Sequence, residues 1–356
     1  MRGAQPLTLF LLKRMYGETT PIDDATFLPL GIRRLEIPVP FIEAGGPANV
    51  YAIEDADGRW SLFDTGIGTP EGVAALRAQA SEHGVDLKRL SRIVVSHGHL
   101  DHFGNAQQLS EESGARVFVH QADAAKIRGE QRYSTELVKH RAYYETQTGV
   151  PGELLEELST RRAQSREQTR YVDAERIGFV NDGEVLHFKH FDATVKHLPG
   201  HTPGLICLHA EAKRLFFADD HVLARVSPNP VLDLSQGEGE TKFRALVSYL
   251  QGATWVRDLE LDAVLPGHGP AFHGHRELLD GLFGFYEKRQ RRILDALEAP
   301  KSVYEVLPAI FPRRDAARLM LMISEVLANL EVMEDARRVQ RVSSADGVTR
   351  YVRIEA

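Results

Sequence analysis

The sequence is nearly without cysteine, since its 356 residues include one, Cys207. One cysteine excludes an intramolecular disulfide bond and a structural zinc site built on several thiolates, and it is typical of a reducing compartment. The sequence also has no apolar run near the roughly 20 residues that a membrane-spanning helix needs. The apolar residues 7–12 lack the preceding basic region and the following cleavage site of a signal peptide. We therefore predict a cytoplasmic protein with no membrane partner.

Positive charge is not in excess, because 43 Lys and Arg face 50 Asp and Glu and the formal net charge is −7. This balance disfavours a general nucleic-acid-binding surface, although it leaves room for a local basic patch. Hydrophobic residues make up 43% and charged residues 26% of the chain, as in ordinary soluble proteins. The length predicts one large domain plus an appendage.

Strand and helix patterns alternate along most of the chain, which predicts a layered α/β domain. A hairpin is expected over residues 49–64, and short strands with tight turns over residues 182–218 predict a second, largely antiparallel sheet. Residues 121–170 hold no strand pattern, so we predict a helical insert that either forms a substrate wall or is a solvated excursion. The order helix, helix, hairpin beyond residue 300 predicts a winged-helix-like unit over 300–356, and leaves 1–299 as the main domain.

The densest group of metal-binding side chains lies directly after the apolar run 92–95. His97, His99, Asp101 and His102 fall within six residues, and imidazole and carboxylate are ligands that suit zinc. The alternative is a solvated histidine-rich turn. Three further turns carry single ligands: His201 in PGHTPG, Asp219 and Asp220 in ADDH, and His268 in PGHGP. One such turn is usually inert, but three of them beside the first motif favour a shared metal site.

The series HGHLDH, PGHTPG, ADDHVL and PGHGP, preceded by a strand that ends in FDTG, resembles the metallo-β-lactamase-fold hydrolases. The resemblance runs in order from about residue 49 to residue 270 and implies a four-layer αβ/βα sandwich. The C-terminal unit is similar to the winged-helix tail of some members. By position, the resemblance implies one metal ion on His97, His99 and His201, and a second on Asp101, His102 and His268.

An aspartate from the ADDH turn would bridge the two ions. The family usually has glycine and aspartate there, so the pair Asp219 and Asp220 leaves two candidates. We favour Asp220, because it directly precedes His221 as in similar sequences. Asp64, from FDTG, would accept an N–H from a ligand imidazole and so fix its tautomer. Its simpler interpretation is a carboxylate in a turn at the end of a strand.

The implied cofactors are two divalent metal ions, with Zn²⁺ best suited to the donor set and Fe or Mn also compatible. Together they would activate water for attack on a carbonyl or phosphoryl centre. Asp101 would be catalytic, because it could orient the nucleophile as well as bind a metal. Cys207 lies within an apolar strand, which indicates core packing.

The resemblance leaves the substrate open. The acidic composition and the insert favour a small-molecule ester or thioester, as in glyoxalase II-like enzymes. Arg225 would then bind a substrate carboxylate or phosphate, and Tyr143 and Tyr144 would line the substrate wall. Each of these residues could equally be structural. A homodimer is compatible with the sequence.

The alternative is a metal-dependent nuclease that binds RNA or DNA through the winged-helix unit. Its support consists of two basic clusters, Arg161, Arg162 and Arg166, and Arg337, Arg338 and Arg341. Residues 301–356, however, hold nine basic and eight acidic residues, a net charge of +1 that suits phosphate binding poorly. A di-iron redox protein is a third hypothesis, for which the sequence offers no electron-delivering module.

Overall fold

The computed structural model describes residues 18–40, 45–130, 136, 138–164, 170–228, 230–238, 242–312 and 318–354. The predictions for residues 7–12 and for Arg166 lie outside this set. The strands of the described residues are β1 (Thr20–Pro21), β2 (Ile32–Ile37), β3 (Ala48–Glu54), β4 (Trp60–Phe63), β5 (Leu90–Val94), β6 (Arg116–Val119), β7 (Ile177–Phe179), β8 (Val185–His187), β9 (Asp192–His197), β10 (Ile206–Ala210), β11 (Leu215–Asp219), β12 (Ala263–Pro266), β13 (Phe272–His273), β14 (Val339–Ser343) and β15 (Thr349–Arg353). The helices are α1 (Pro70–Glu82), α2 (Leu100–Phe103), α3 (Ala106–Ser113), α4 (Ala124–Ile127), α5 (Arg141–Tyr143), α6 (Gly152–Gln164), α7 (Ala245–Asp258), α8 (His275–Ala296), α9 (Val303–Ile310) and α10 (Leu319–Asp335).

Two sheets carry most of these strands. In the six-stranded sheet, β2 to β7 lie in sequence order, with β2, β3 and β4 antiparallel and β4 to β7 parallel. The seven-stranded sheet has the order β1-β13-β12-β11-β10-β9-β8, and its strands are antiparallel except for the parallel pair of β11 and β12. The predicted hairpin of β3 and β4 and the largely antiparallel second sheet are both confirmed.

Apolar side chains join the two sheets face to face. The ring of Phe217 on β11 lies 5.4 Å from that of Tyr51 and 6.2 Å from that of Phe63, both on the first sheet. Successive strand residues point to opposite faces, so Phe216 lies on the outer face, 6.2 Å from the ring of Trp255 in α7. Leu76 of α1 belongs to the core on the outer face of the first sheet. The layers therefore form the predicted αβ/βα sandwich.

The chain divides into two compact units, and the domain boundary predicted at residue 299 stays a prediction. The first comprises Met1–Glu130, Gln168–Pro228 and Gly252–Gly281, and the second comprises Gln131–Glu167, Asn229–Gln251 and Leu282–Ala356. A boundary at one point in the sequence does not describe this division, because the insert and the C-terminal helices share a hydrophobic core. The insert is helical over α5 and α6, and among its described residues there is no strand, as predicted.

The C-terminal part of the second unit has the predicted order of helix, helix and hairpin. Helix α9 begins with a reciprocal cap, in which the Ser302 side chain accepts from the Glu305 N–H and the Glu305 side chain accepts from the Ser302 N–H. Strands β14 and β15 pair antiparallel. The identification of this unit as a winged helix stays a prediction. Among the helices in the described ranges, none is both long and apolar enough to cross a membrane.

Candidate metal centre

The sequence-predicted ligands meet at one edge of the sandwich because parallel strands end on the same side. Strand β4 leads into Asp64, and β5 leads into the segment from Ser96 to His102. In the facing sheet, the parallel strands β11 and β12 end at the ADDH and PGHGP turns. The loop between β9 and β10 brings His201 to the same edge. The site is therefore assembled from loops that follow strands.

Three imidazoles form the first cluster. The Nδ1 atom of His99 lies 2.9 Å from the Nε2 atom of His97 and 2.9 Å from the Nε2 atom of His201. All three nitrogens point to one place, and they form a group that could hold a metal ion. Burial, followed by His201 and His97, lowers the pKa of His99 well below its usual value. A neutral imidazole is the form that binds a metal.

The second cluster contains Asp101, His102 and His268. The Oδ2 atom of Asp101 lies 3.7 Å from His102 Nε2 and 3.4 Å from His268 Nε2. Burial acts to raise the pKa of Asp101, but His102 and His268 outweigh it and hold that pKa well below its usual value. Asp101 is therefore an ionised carboxylate among imidazoles, a donor set that suits a divalent cation.

Asp220 lies between the two clusters. Its Oδ2 atom is 3.4 Å from His201 Nε2 and 3.6 Å from His102 Nε2, and its Oδ1 atom is 3.5 Å from His268 Nε2. Asp219 lies behind the imidazoles instead, because its carboxylate oxygens are 3.1 Å from His97 Nδ1 and 3.5 Å from His102 Nδ1. Both acids belong to a group that could hold a metal ion, but only Asp220 faces imidazoles of both clusters at their Nε2 atoms.

The outer ring nitrogens of two histidines are held by fixed acceptors. His102 Nδ1 donates to Asp64 Oδ2 at 2.9 Å, and His268 Nδ1 lies 3.1 Å from each of the carbonyl oxygens of Gly46 and Pro47. An Nδ1–H donor leaves Nε2 to face the centre of the site. Asp64 is therefore in hydrogen-bond contact with His102, and its role beside a metal ligand stays a prediction. Its own φ of +66° is a conformation that aspartate tolerates better than most residues.

Two unpartnered atoms test whether the site suits a metal. Buried polar atoms nearly always have hydrogen-bond partners. His102 Nε2 and Asp220 Oδ1 are buried, and neither has a hydrogen bond with any described residue. Both belong to groups of nitrogen and oxygen donors whose atoms lie within 4.8 Å of one another. These residues therefore fit a divalent metal.

The sequence did not single out Asp123 or Asn49, which also build the site. Asp123 is fully buried beyond the end of β6, the parallel neighbour of β5. The position of Asp123 in the sequence could have revealed it, because an acid that comes after a strand next to β5 lies at the same edge of the sheet. Asn49 Nδ2 donates to the carbonyl oxygens of Pro266 and Gly269, each at 2.7 Å. The loops around the ligands thus have their own polar supports.

The predicted substrate residues lie in different environments. Arg225 is exposed, and its Nε atom lies 4.0 Å from the position that a Cβ atom would take on Gly269, next to His268. Tyr143 and Tyr144 are only 8% and 4% exposed and belong to the hydrophobic core of the second unit. That burial gives the two tyrosines a packing role, in place of the substrate wall expected from sequence.

Cys207 is buried on β10, and its Sγ atom donates to the Ala218 carbonyl at 3.2 Å. Burial, followed by the charge of Asp219, raises the pKa of the thiol well above its usual value. A buried neutral thiol is a poor nucleophile. The packing role predicted for Cys207 agrees with this environment.

Family models cover most of the chain. Residues 44–275 match the model described as the metallo-beta-lactamase superfamily, and residues 291–354 match the metallo-beta-lactamase-like C-terminal domain. Among curated proteins, the probable metallo-hydrolase YqjP of Bacillus subtilis is 28% identical over 306 residues, which span 84% of this chain and 91% of that protein. The acyl-coenzyme A thioesterase MBLAC2 of Bos taurus is 29% identical over 189 residues, which span 51% of this chain and 61% of that protein.

Solved structures show the same fold. A metallo-beta-lactamase family protein from Thermus thermophilus has a TM-score of 0.72 at 25% identity, covering 91% of this chain and 99% of that one. A beta-lactamase domain protein from Burkholderia ambifaria has a TM-score of 0.75 at 23% identity, covering 95% of this chain and 94% of that one. These likenesses extend over the C-terminal part of the chain as well as the sandwich.

Proposed function

This chain belongs to the metallo-β-lactamase superfamily, and from that premise we propose that it is a dinuclear metallo-hydrolase that cleaves a small-molecule thioester or ester. Its membership among the metallo-hydrolases of this superfamily is supported by the family models and by the relative that spans most of the chain. The observation that carries the dinuclear proposal is Asp220, whose carboxylate faces imidazoles of both clusters.

The proposed ligands divide as the two clusters do. One metal ion would bind His97, His99 and His201, and a second would bind Asp101, His102 and His268, with Asp220 bridging them. Nitrogen and oxygen donors without thiolate favour Zn²⁺, with Fe and Mn as further candidates. Asp64 would keep His102 in the tautomer whose Nε2 faces the site, as the 2.9 Å contact with His102 Nδ1 suggests.

Divalent ions held there would bring the pKa of a water molecule near neutrality and polarise the substrate carbonyl. Asp101 would accept a hydrogen bond from that water and orient it, since the adjacent His102 and His268 keep the carboxylate ionised. His99 would stay neutral because burial lowers its pKa. The chain thus needs no serine or cysteine nucleophile.

A thioester is supported by the partial match to an acyl-coenzyme A thioesterase. Arg225 adds a second argument, because it is an exposed cation beside the turn that carries His268. An anionic carrier such as coenzyme A would offer phosphates to such a guanidinium. No observation in the described residues favours the nuclease alternative over this proposal.

The test combines metal analysis with a substrate panel of acyl-coenzyme A thioesters, oxoesters, lactones and phosphodiesters. We expect two metal ions per chain and thioester turnover that a chelator abolishes and added metal restores. Asp220→Asn should lose at least one ion and at least about 100-fold in kcat, because even residues behind metal ligands contribute about 10- to 100-fold. The matched control is Asp192→Asn, which changes a carboxylate that is 64% exposed.

Fewer than two ions per chain in fully loaded protein would contradict the dinuclear site. Cleavage of phosphodiesters without any ester or thioester turnover would contradict the proposed substrate class. An Asp220→Asn variant with wild-type metal content would contradict the bridging role of that residue.

A further inference from the structure

A buried carboxylate connects the two loops that carry the three-imidazole cluster. Asp123 follows strand β6 and has no exposed surface. It is not among the described residues grouped as possible metal ligands, and it falls in the segment predicted from sequence as a helical insert, without a role of its own. Burial of a charged group is costly unless partners compensate for it. Its surroundings therefore indicate what it does.

Four donors surround the Asp123 carboxylate. The Oδ2 atom accepts from the Gly98 N–H at 2.8 Å and from the Thr202 hydroxyl at 2.6 Å. The Oδ1 atom accepts from the Gly204 N–H at 3.1 Å and from the Lys126 ammonium at 3.1 Å. Burial acts to raise the pKa of Asp123, but Lys126 and Thr202 outweigh it, so the pKa lies below its usual value. The carboxylate is thus ionised, and both of its oxygens are occupied.

Three of the four donors come from the two loops. Gly98 lies between His97 and His99, whereas Thr202 directly follows His201 and Gly204 closes the same turn. A single carboxylate therefore fixes the distance between the loop of His97 and His99 and the loop of His201. Its hydrogen bonds from these loops come from two backbone N–H groups and from the Thr202 hydroxyl next to His201, so it acts on the segments that support the imidazoles.

Close approach of the two loops to Asp123 depends on glycine at both contact points. A Cβ atom on Gly204 would lie 2.7 Å from the Asp123 nitrogen and 2.8 Å from its Cγ. A Cβ atom on Gly98 would lie 2.7 Å from the Cβ of Lys126. Real Cβ atoms do not approach other atoms this closely. This second observation is independent of the hydrogen bonds and indicates the same tight junction.

The other cluster has a separate support. Asp64 accepts from the Ser96 N–H at 2.7 Å, from the Ser96 hydroxyl at 2.8 Å and from His102 Nδ1 at 2.9 Å. It therefore acts on His102, a member of the cluster with Asp101 and His268. Through Ser96, whose hydroxyl lies 3.0 Å from His97 Nδ1, Asp64 also reaches the first cluster, whereas Asp123 accepts hydrogen bonds from the His97–His99 and His201 loops.

We propose that Asp123 is a positioning residue that sets the spacing of His97, His99 and His201 and thereby the affinity of that half of the site for its metal ion. This inference rests on the proposed dinuclear function. It predicts that a substitution of Asp123 weakens the binding of one metal ion and leaves the binding of the other unchanged.

The test is a titration of metal-free protein with Co²⁺. The d–d absorption measures how much Co²⁺ binds, and the shifted histidine N–H resonances identify which half of the site binds it. Asp123→Asn keeps the size of the side chain but turns an amide NH₂ toward a donor. We expect it to lower the Co²⁺ affinity of the three-imidazole half about 10- to 100-fold and to leave the Co²⁺ affinity of the other half unchanged. Asp64→Asn, the matched control, should weaken metal binding by the half with His102, which Asp123→Asn is expected to spare. Thr202→Val removes one donor at constant volume and should give a smaller loss at the same half.

Thermal unfolding of the metal-free variants checks that they are folded. If Asp123→Asn does not fold, the Co²⁺ titration of Thr202→Val tests the proposal. An unchanged titration, or an equal loss at both halves, would overturn the role of Asp123. Wild-type protein that binds fewer than two ions would instead contradict the proposed function. The two failures are therefore distinguishable.

Discussion

A histidine binds a metal through one ring nitrogen, so whatever holds the other nitrogen decides the available one. This principle separates Asp219 from Asp220, which the sequence left as alternatives. Asp219 ends β11 with a φ of +46°, so the strand alternation stops there and its carboxylate turns toward the Nδ1 atoms of His97 and His102. Asp220 turns toward Nε2 atoms. Two adjacent aspartates therefore face different ring nitrogens. The backbone angle that separates them cannot be read from a sequence motif.

Arg225 gives a prediction about substrate binding. Arg225→Ala should raise KM for an acyl-coenzyme A about tenfold with little change in kcat, because a hydrogen bond to a charged group contributes about 1.5 kcal/mol. Arg225→Lys should retain part of the affinity, since it keeps the charge without the fork of donors. Steady-state kinetics with a thioester that lacks phosphate is the control. An equal rise in KM for both substrates would contradict an anion-binding role.

At the scale of secondary-structure elements, the turns that carry the ligands are held by hydrogen bonds from distant strands. The turn after β12 is fixed from β3, because Asn49 Nδ2 and the Tyr51 hydroxyl both donate to the Pro266 carbonyl at 2.7 Å. Arg34 on β2 extends the network to Asn49 Oδ1 at 3.1 Å. These supports lie about 215 residues from the turn in sequence, so no local pattern reveals them. The motif locates the ligand, whereas distant strands orient it.

Most elements that carry the site were predictable from the sequence. The hairpin and the apolar strand before His97 follow from apolar periodicity and a glycine turn, and the structure has both of them. Strand β7 was missed because its three residues include Gly178 and are too short to show alternation. Asp123 was missed because it fell in a segment interpreted as a helical insert, although it lies in the short turn that follows a core strand.

Two stacked histidines behind the His201 loop give a prediction about pH. The rings of His120 and His197 lie 3.7 Å apart, and burial, followed by His197, lowers the pKa of His120 to about 4, against the opposing charges of Asp123 and Asp182. The unfolded chain therefore binds more protons than the folded one between about pH 6.5 and pH 4. The stability that neutral His120 contributes is present above that window and is lost as the pH falls through it.

His120→Asn keeps an acceptor for the Ala122 N–H, which His120 Nδ1 now accepts at 3.3 Å, but it does not titrate. We expect the free energy of unfolding of metal-free protein to fall less steeply for this variant than for wild type between pH 7 and pH 4. Urea denaturation at several pH values measures this difference. Parallel curves for the two proteins would contradict the prediction.

At the scale of the whole molecule, the second compact unit is built from segments that lie far apart in the sequence. The insert and the C-terminal helices are separated by most of the second sheet in sequence, yet Leu155, Val303 and Leu327 belong to one core. Amphipathic periodicity shows that a helix has an apolar face, but it does not say which distant segment covers that face. The sandwich was predictable because consecutive strands pair, whereas this core depends on contacts between distant segments.

Metal removal should destabilise the first unit selectively. Buried carboxylates lie at the proposed metal site of this unit, among them Asp101, Asp219 and Asp220, and bound cations would compensate their charge. At free metal about 1,000-fold above Kd, binding contributes about 4 kcal/mol, which corresponds to about 10 °C in Tm for a unit of this size. Both tryptophans, Trp60 and Trp255, lie in the first unit. Tryptophan fluorescence should therefore report a chelator-induced drop in Tm that added Zn²⁺ reverses. Asp220→Asn should respond less and Asp192→Asn fully, whereas equal midpoints with and without metal would contradict a cation bound among these carboxylates.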